Sequence, residues 1–261
     1  MAKVIVVANQ KGGCSKTSVV TNLSIGLAME GRKVCVIDAD PQGSLTASLG
    51  YQEPDAIRYT LATIMTKIIN EEEIDPSEGI LHHEEGVDLV PSNIELSGME
   101  VSLANAMSRE LILKEYVDLI RDQYDYILID CMPSLGVMTI NALVAADRVL
   151  IPVQAAYLPV KGLQQLLKTV MVVKKRLNKD LEIEGILITM VDYRTNYAKD
   201  ITEMLRENYG DSVGIMKSYI PFSVKVAEAS AEGSSIYCYA PRCKVAESFE
   251  KLTMEVLENE E

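Results

Sequence analysis

The stretch Val4-Ile5-Val6-Val7-Ala8-Asn9-Gln10-Lys11-Gly12-Gly13-Cys14-Ser15-Lys16-Thr17-Ser18 leads from an apolar, β-branched run through a glycine-rich turn into a helical pattern. A turn that opens a helix aims backbone N–H groups at bound phosphates, and the helix dipole adds to the attraction. In such a loop Lys16 would reach the β- and γ-phosphates, and the Thr17 hydroxyl would hold Mg²⁺. The strict pattern G-x-x-x-x-G-K-[ST] is not met, because Gln10 and Ser15 stand where it requires glycine. What remains is a deviant form, Lys11-Gly12-Gly13-Cys14-Ser15-Lys16-Thr17-Ser18, with a second lysine at position 11.

Around this loop the chain reads as one α/β domain over residues 1–261: at 48% hydrophobic it can bury a single large core, and no linker composition divides it. Short β-branched runs alternate with longer helical patterns, which predicts a mostly parallel, twisted sheet of seven or eight strands with helices on both faces. The expected strands are 3–8, 33–37, 87–90, 126–129, 148–153, 182–189 and 214–220. The expected helices are 16–30, 94–105, 109–122, 136–146, 159–177, 196–209 and 245–257. Between residues 51 and 85 the pattern is weakest, with exposed turns around a short helix.

Composition narrows the function classes. A net charge of −13 argues against a surface coated for nucleic acid, while leaving room for a local basic patch. A strand beginning by residue 3 leaves no room for a signal peptide. No apolar stretch reaches the roughly 18 residues of a membrane span. The expected location is therefore cytoplasmic. Five cysteines without a paired C-x-x-C fit reduced thiols better than a disulfide frame.

Two further segments carry carboxylates to the sheet's carboxyl end, where open α/β folds bind ligands. In Val36-Ile37-Asp38-Ala39-Asp40-Pro41-Gln42-Gly43 the side chains alternate, so the two acids need not share a role. Asp40, just before Pro41, is best placed to orient an attacking water, whereas Asp38 faces either Mg²⁺ or the loop lysine. In Asp125-Tyr126-Ile127-Leu128-Ile129-Asp130-Cys131-Met132-Pro133-Ser134-Leu135-Gly136, an apolar strand delivers Asp130 in the Walker B manner. There it would hold Mg²⁺ through the ion's water shell. The segment ending at Gly136 is a candidate switch for sensing the γ-phosphate.

These three motifs together resemble those of the ParA/Soj partition ATPases, within the deviant-Walker group that includes MinD. Further matching stretches are Pro152-Val153-Gln154, Gly162 to Leu166, Thr189 to Asn196 and Ile220-Pro221, so the resemblance spans nearly the whole chain. It is closest to the short members without an added N-terminal DNA-binding domain. The resemblance implies a P-loop NTPase fold, ATP/ADP and Mg²⁺ as cofactors, and ATP hydrolysis. It implies that Lys11 reaches across a two-fold interface to the partner subunit's nucleotide in an ATP-bound homodimer. By the same likeness Asp40 positions the hydrolytic water, Thr17 ligates Mg²⁺ directly, Asp130 serves the ion's outer shell, and Pro221 belongs to the adenine-contacting segment. Two positions depart from the family pattern. Ser15 replaces a usual glycine or alanine, slowing hydrolysis if that position needs φ > 0 and changing nothing if it does not. Met132 replaces a common proline and makes the second switch less stiff.

The resemblance also implies nonspecific, nucleoid-associated DNA binding by the ATP-bound dimer, with a ParB-like centromere-binding protein as partner, for partition of plasmid, chromosome or mobile-element DNA. Phosphate neutralisation by basic side chains is the physics such binding requires. The candidates are Arg194, Lys199, Arg206, Lys217, Lys225, Arg242 and Lys244. The pair Phe222-Ser223 stands where many relatives carry Arg-Asn. MinD-like members instead end in a basic amphipathic helix. This sequence ends Glu255-Val256-Leu257-Glu258-Asn259-Glu260-Glu261, which an anionic membrane would repel. The alternatives are a nucleotide-gated scaffold with little turnover, a MinD-like ATPase, and a metal-cluster carrier using Cys238 and Cys243.

Overall fold

The computed structural model describes residues 1–155, 159–192, 195–210 and 212–259. In chain order the elements are β1 (Lys3–Val7), α1 (Lys16–Met29), β2 (Val34–Ala39), α2 (Ser44–Ser48), α3 (Leu61–Ile69), β3 (Leu81–His82), β4 (Val87–Val90), α4 (Leu96–Asn105), α5 (Ile112–Ile120), β5 (Tyr126–Cys131), α6 (Val137–Ala145), β6 (Arg148–Gln154), α7 (Pro159–Arg176), β7 (Glu182–Val191), α8 (Asn196–Tyr209), β8 (Ile215–Pro221), α9 (Val224–Ala231), α10 (Ile236–Tyr239) and α11 (Lys244–Glu258). Among the described residues eight strands form one sheet in the order β3-β4-β2-β5-β1-β6-β7-β8. Every recorded pairing is parallel except β3 with β4.

Strand alternation divides the core into two layers. From β1, Val4 and Val6 join one cluster while Ile5 and Val7 join the other; from β5, Ile127 and Ile129 oppose Tyr126 and Leu128. The first layer is covered by α3 through α8, and the second by α1, α2, α10 and α11. Both faces of the central strands are therefore apolar, which is why they read as continuous β-branched runs.

Two strand ends differ from the sequence reading in a way that matters for the site. β2 continues to Ala39 and β5 to Cys131 because their parallel ladder persists through Asp38↔Asp130 and Ala39↔Cys131. Both acids therefore sit inside strands. The expected helix over 109–122 is shorter, Ile112–Ile120, and closes in a 3₁₀ turn at Arg121–Gln123. The two-residue β3 and the short helices α2, α9 and α10 lie below the length at which periodicity can be read from sequence. α3 is the short helix expected between residues 51 and 85, and a reciprocal capping box between Thr60 and Thr63 starts it.

The chain order makes β1 the switch point of the sheet. From β1 the connection through α1 runs toward β2 on one side, and from β5 the connection through α6 runs to β6 on the other. The crevice at the carboxyl end of β1 is where ligands bind in folds of this kind. No helix among the described residues is long and apolar enough to cross a membrane.

Candidate nucleotide-binding site

The loop after β1 is braced from several sides. The Asn9 side-chain amide donates to the Pro152 carbonyl at 2.6 Å, while its oxygen accepts from the Lys11 N–H at 3.0 Å, fixing the turn between β1 and β6. The Cys14 thiol donates to the Lys11 carbonyl at 3.2 Å. From β7 the buried Thr189 hydroxyl donates to the Cys14 carbonyl at 3.1 Å. Gly13 has φ +71°, and side chains at Gly12 and Gly13 would meet nothing within 4 Å, so the space beside both glycines is open.

Ser15, immediately before α1, adopts φ 69° and ψ 23°, and its side chain makes no capping bond. The position therefore does have φ > 0. A non-glycine residue held there costs of the order of 1–3 kcal/mol, and such strain persists where the surroundings over-determine it. Met190, next to Thr189, is likewise left-handed at φ 54°.

Lys16 is buried, and the hydroxyl of its neighbour Thr17 donates to Asp130 Oδ2 at 2.7 Å. Asp130 Oδ1 is buried with no hydrogen-bond partner. Burial, and then the negative charge of Asp38, push the Asp130 carboxyl up to about 8, against the pull of Thr17 and Lys16. Asp38 is fully buried one strand away. Its Oδ1 accepts from the Asp40 N–H at 3.2 Å, and its Oδ2 accepts from the Thr46 N–H at 2.9 Å and hydroxyl at 2.8 Å. Burial nevertheless pushes it up to about 6. Thus Asp38 is engaged by neutral donors on both oxygens, contacting neither a loop lysine nor open space. Asp130 is the acid with bonding capacity to spare.

This donor set suits a hard divalent cation that retains most of its water. An orphaned buried carboxylate oxygen beside a threonine hydroxyl would be relieved by a positive charge. Among the described residues no group of three or more His, Cys, Asp or Glu side chains could cage a metal ion, so phosphate and water would supply the remaining ligands. Cys14 and Cys131 are buried, and burial pushes both thiols up. They are poor thiolate ligands at neutral pH. Cys238 lies on α10 and Cys243 just before α11, both free thiols.

Asp40 is half-buried beyond β2, and its Oδ1 accepts from the Gln42 N–H at 2.9 Å. Lys11 is half-buried, its ammonium 3.4 Å from Gln154 Oε1 at the end of β6. Pro221 ends β8 and lines a cavity shared with Ser15 and Ser18. Sequence reasoning did not single out Thr46, and Gln154 and Thr189 entered only within stretches that carry the resemblance; nothing local marks these contacts, because each depends on how the chain folds back.

The basic candidates are spread over several elements. Lys199 and Arg206 line one depression on α8 together with Glu203 and Glu207. Lys217, on the edge strand β8, lines a separate groove with Lys251 and Glu255. Lys225 is on α9, and the exposed Arg242 and Lys244 stand at the start of α11. Arg194 lies outside the described residues.

Residues 2–183 match the family described as an AAA domain. The sporulation initiation inhibitor protein Soj of Bacillus subtilis (strain 168) is 41% identical over 259 residues, covering 99% of this chain and 100% of its own. The chromosome-partitioning ATPase Soj of Treponema pallidum (strain Nichols) is 38% identical over 257 residues, covering 98% of each chain. Among solved structures, cobyrinic acid a,c-diamide synthase from Mycobacterium smegmatis with bound ATP analog and magnesium aligns with a TM-score of 0.89 and 31% identity, covering 100% of this chain and 96% of that one.

Proposed function

The chain belongs to the ParA/Soj family of partition ATPases, and from that membership we propose that it is a Mg²⁺-dependent ATPase whose ATP-bound form is a DNA-binding homodimer. The observation that carries the reading is the pairing of buried Lys16 with the Thr17–Asp130 contact, which leaves Asp130 Oδ1 unpartnered at the switch point of the sheet. Loop N–H groups and Lys16 would hold the β- and γ-phosphates, and Thr17 with Asp130 would hold the ion. An Mg²⁺ ion held there would supply charge neutralisation at the phosphates. Asp40 orients the attacking water.

Lys11 gives the reading its switch. Lys11 is half-buried, its ammonium 3.4 Å from Gln154 Oε1, and in the proposed dimer it would turn from this contact to the second subunit's nucleotide. A cation placed between two triphosphate sites stabilises association only while the charge is present. The ATP-bound dimer would bind DNA without sequence preference, and a ParB-like partner would stimulate hydrolysis and release.

The test is phosphate release with and without DNA and partner, together with an ATP-dependent gel shift at two salt concentrations. The expected shift requires ATP and weakens steeply with salt, because phosphate neutralisation releases counterions. Binding that is indifferent to nucleotide or to salt would contradict the reading. The left-handed Ser15 favours one second reading, a nucleotide-gated scaffold with little turnover. It is distinguished by ATP-dependent association without phosphate release.

A further inference from the structure

The segment that carries Asp40 is anchored at both ends to one buried carboxylate. At its start the Asp40 N–H donates to Asp38 Oδ1 at 3.2 Å; at its end Thr46 donates to Asp38 Oδ2 twice, from its N–H at 2.9 Å and its hydroxyl at 2.8 Å. Between these anchors the Gly43 N–H donates to the Asp40 carbonyl at 3.0 Å and closes the turn. Gly43 precedes α2 and has no side chain to cap it, so Asp38 takes one of the helix's free N–H groups instead.

The Thr46 hydroxyl carries the connection one step further, accepting from the Ser92 N–H at 3.0 Å just beyond β4. A backbone N–H can only donate, so the hydroxyl proton is committed to Asp38. Asp38, Thr46 and Ser92 are all fully buried, where water does not replace a lost partner. A side chain at Gly43 would meet Pro54 Cβ at 2.9 Å and the Ser92 carbonyl at 3.0 Å, so the turn lies directly against the loop that Ser92 belongs to. One threonine hydroxyl thus joins that loop to the carboxylate that staples the Asp40 turn.

We propose that Thr46 is a positioning residue for hydrolysis: its hydroxyl, held between Ser92 and Asp38, fixes the turn that aims the Asp40 carboxylate at the attacking water. The inference rests on the ATPase reading above, in which Asp40 orients that water. Asp40 is half-buried and its Oδ1 accepts from the Gln42 N–H of the same turn, so its aim follows the turn's course. The groups assigned to phosphate and Mg²⁺, Lys16, Thr17 and Asp130, stand on α1 and β5. Loosening the turn therefore spoils the chemical step and spares the grip on nucleotide.

The test compares wild type, Thr46→Ser and Thr46→Val in steady-state phosphate release with Mg²⁺ and ATP, with Mg²⁺-dependent ADP affinity read by calorimetry and folding checked by thermal melts. Valine keeps the branched shape and removes the hydroxyl, whereas serine keeps the hydroxyl. Thr46→Val is expected to lower kcat roughly tenfold to a hundredfold, the scale of loss when reacting groups are misplaced by about 1 Å, with KM for ATP and ADP affinity unchanged. Thr46→Ser is expected to retain the wild-type kcat. Should the valine variant not fold, Thr46→Ala, which also lacks the hydroxyl, carries the same expectation. A purely structural threonine would lower the melting temperature and leave kcat per folded molecule unaltered, and that result overturns the proposal. So does a loss of kcat that Thr46→Ser shares in full, or one matched by weaker ADP binding. In each of these cases wild-type turnover leaves the ATPase reading standing; a wild-type chain that binds ATP and releases no phosphate overturns both.

Discussion

At the scale of single residues, two positions store unfavourable free energy in the nucleotide-free chain. Ser15 is held left-handed with no capping bond, a conformation that glycine adopts without penalty. Ser15→Gly is expected to stabilise the chain by about 1 kcal/mol in denaturant titrations and, on the proposed mechanism, to raise the rate of phosphate release. A destabilised Ser15→Gly chain would show that the left-handed turn is not strained. Asp130 is the second position. Burial, and then the neighbouring Asp38, push its carboxyl in the folded chain up to about 8, from 3.8 for an ordinary aspartate. The folded chain therefore binds more protons than the unfolded chain between those values, and stability falls as pH rises through that window. Asp130→Asn removes the effect. Without nucleotide or metal, its gain in melting temperature over wild type should be small near pH 4 and largest near pH 8, while Mg²⁺-dependent ADP binding is lost. Equal gains at both ends of the window would refute the assignment.

At the scale of elements, the site depends on how tightly α1 is seated. A Cβ on Gly26 of α1 would lie 2.3 Å from Thr253 Oγ1 and 2.8 Å from the Tyr237 hydroxyl, so α11 and α10 approach the helix backbone closely there. Helix propensity favours alanine over glycine by about 1 kcal/mol, but overpacking costs typically 1–3 kcal/mol. Gly26→Ala is therefore expected to lower the unfolding free energy by about 1 kcal/mol; a rise would mean α11 moves aside freely. The strands and longer helices were legible in sequence because their apolar periods are strong and their ends carry Gly, Asp or Pro. The phosphate loop and Asp130 were legible for the same reason, since each directly follows or ends such a strand. The extension of β2 and β5 past the acids was not, because a ladder depends on the neighbouring strand. The Thr189 bond to Cys14 and the Thr46 bonds to Asp38 were equally invisible, one spanning 175 positions and the others only 8, because both depend on how a loop folds back. Asp38 shows the consequence: sequence placed it toward an ion or a lysine, whereas the start of α2 engages its Oδ2.

At the scale of the whole molecule, chemistry gathers at one end of the sheet and charge does not gather anywhere to the same degree. Lys11, Lys16, Asp40 and Asp130 all follow or end strands at the carboxyl edge, around the switch point at β1. The basic candidates, in contrast, are divided among α8, β8, α9 and the start of α11, with Glu203 and Glu207 interleaved on α8. A chain carrying a net charge of −13 gains little from such scattered cations as a monomer. Pairing two copies doubles each patch on one body, which gives ATP-driven association a direct route to DNA affinity. Dimerisation is thus the step on which the proposed function turns. The most direct measurement is sedimentation velocity of Asp40→Ala with Mg²⁺ and ATP, beside Lys11→Ala under the same conditions. The account expects Asp40→Ala, unable to hydrolyse, to sediment as a dimer with ATP and as a monomer with ADP, and Lys11→Ala to bind nucleotide yet stay monomeric. An Asp40→Ala chain that binds ATP and remains a monomer would contradict it.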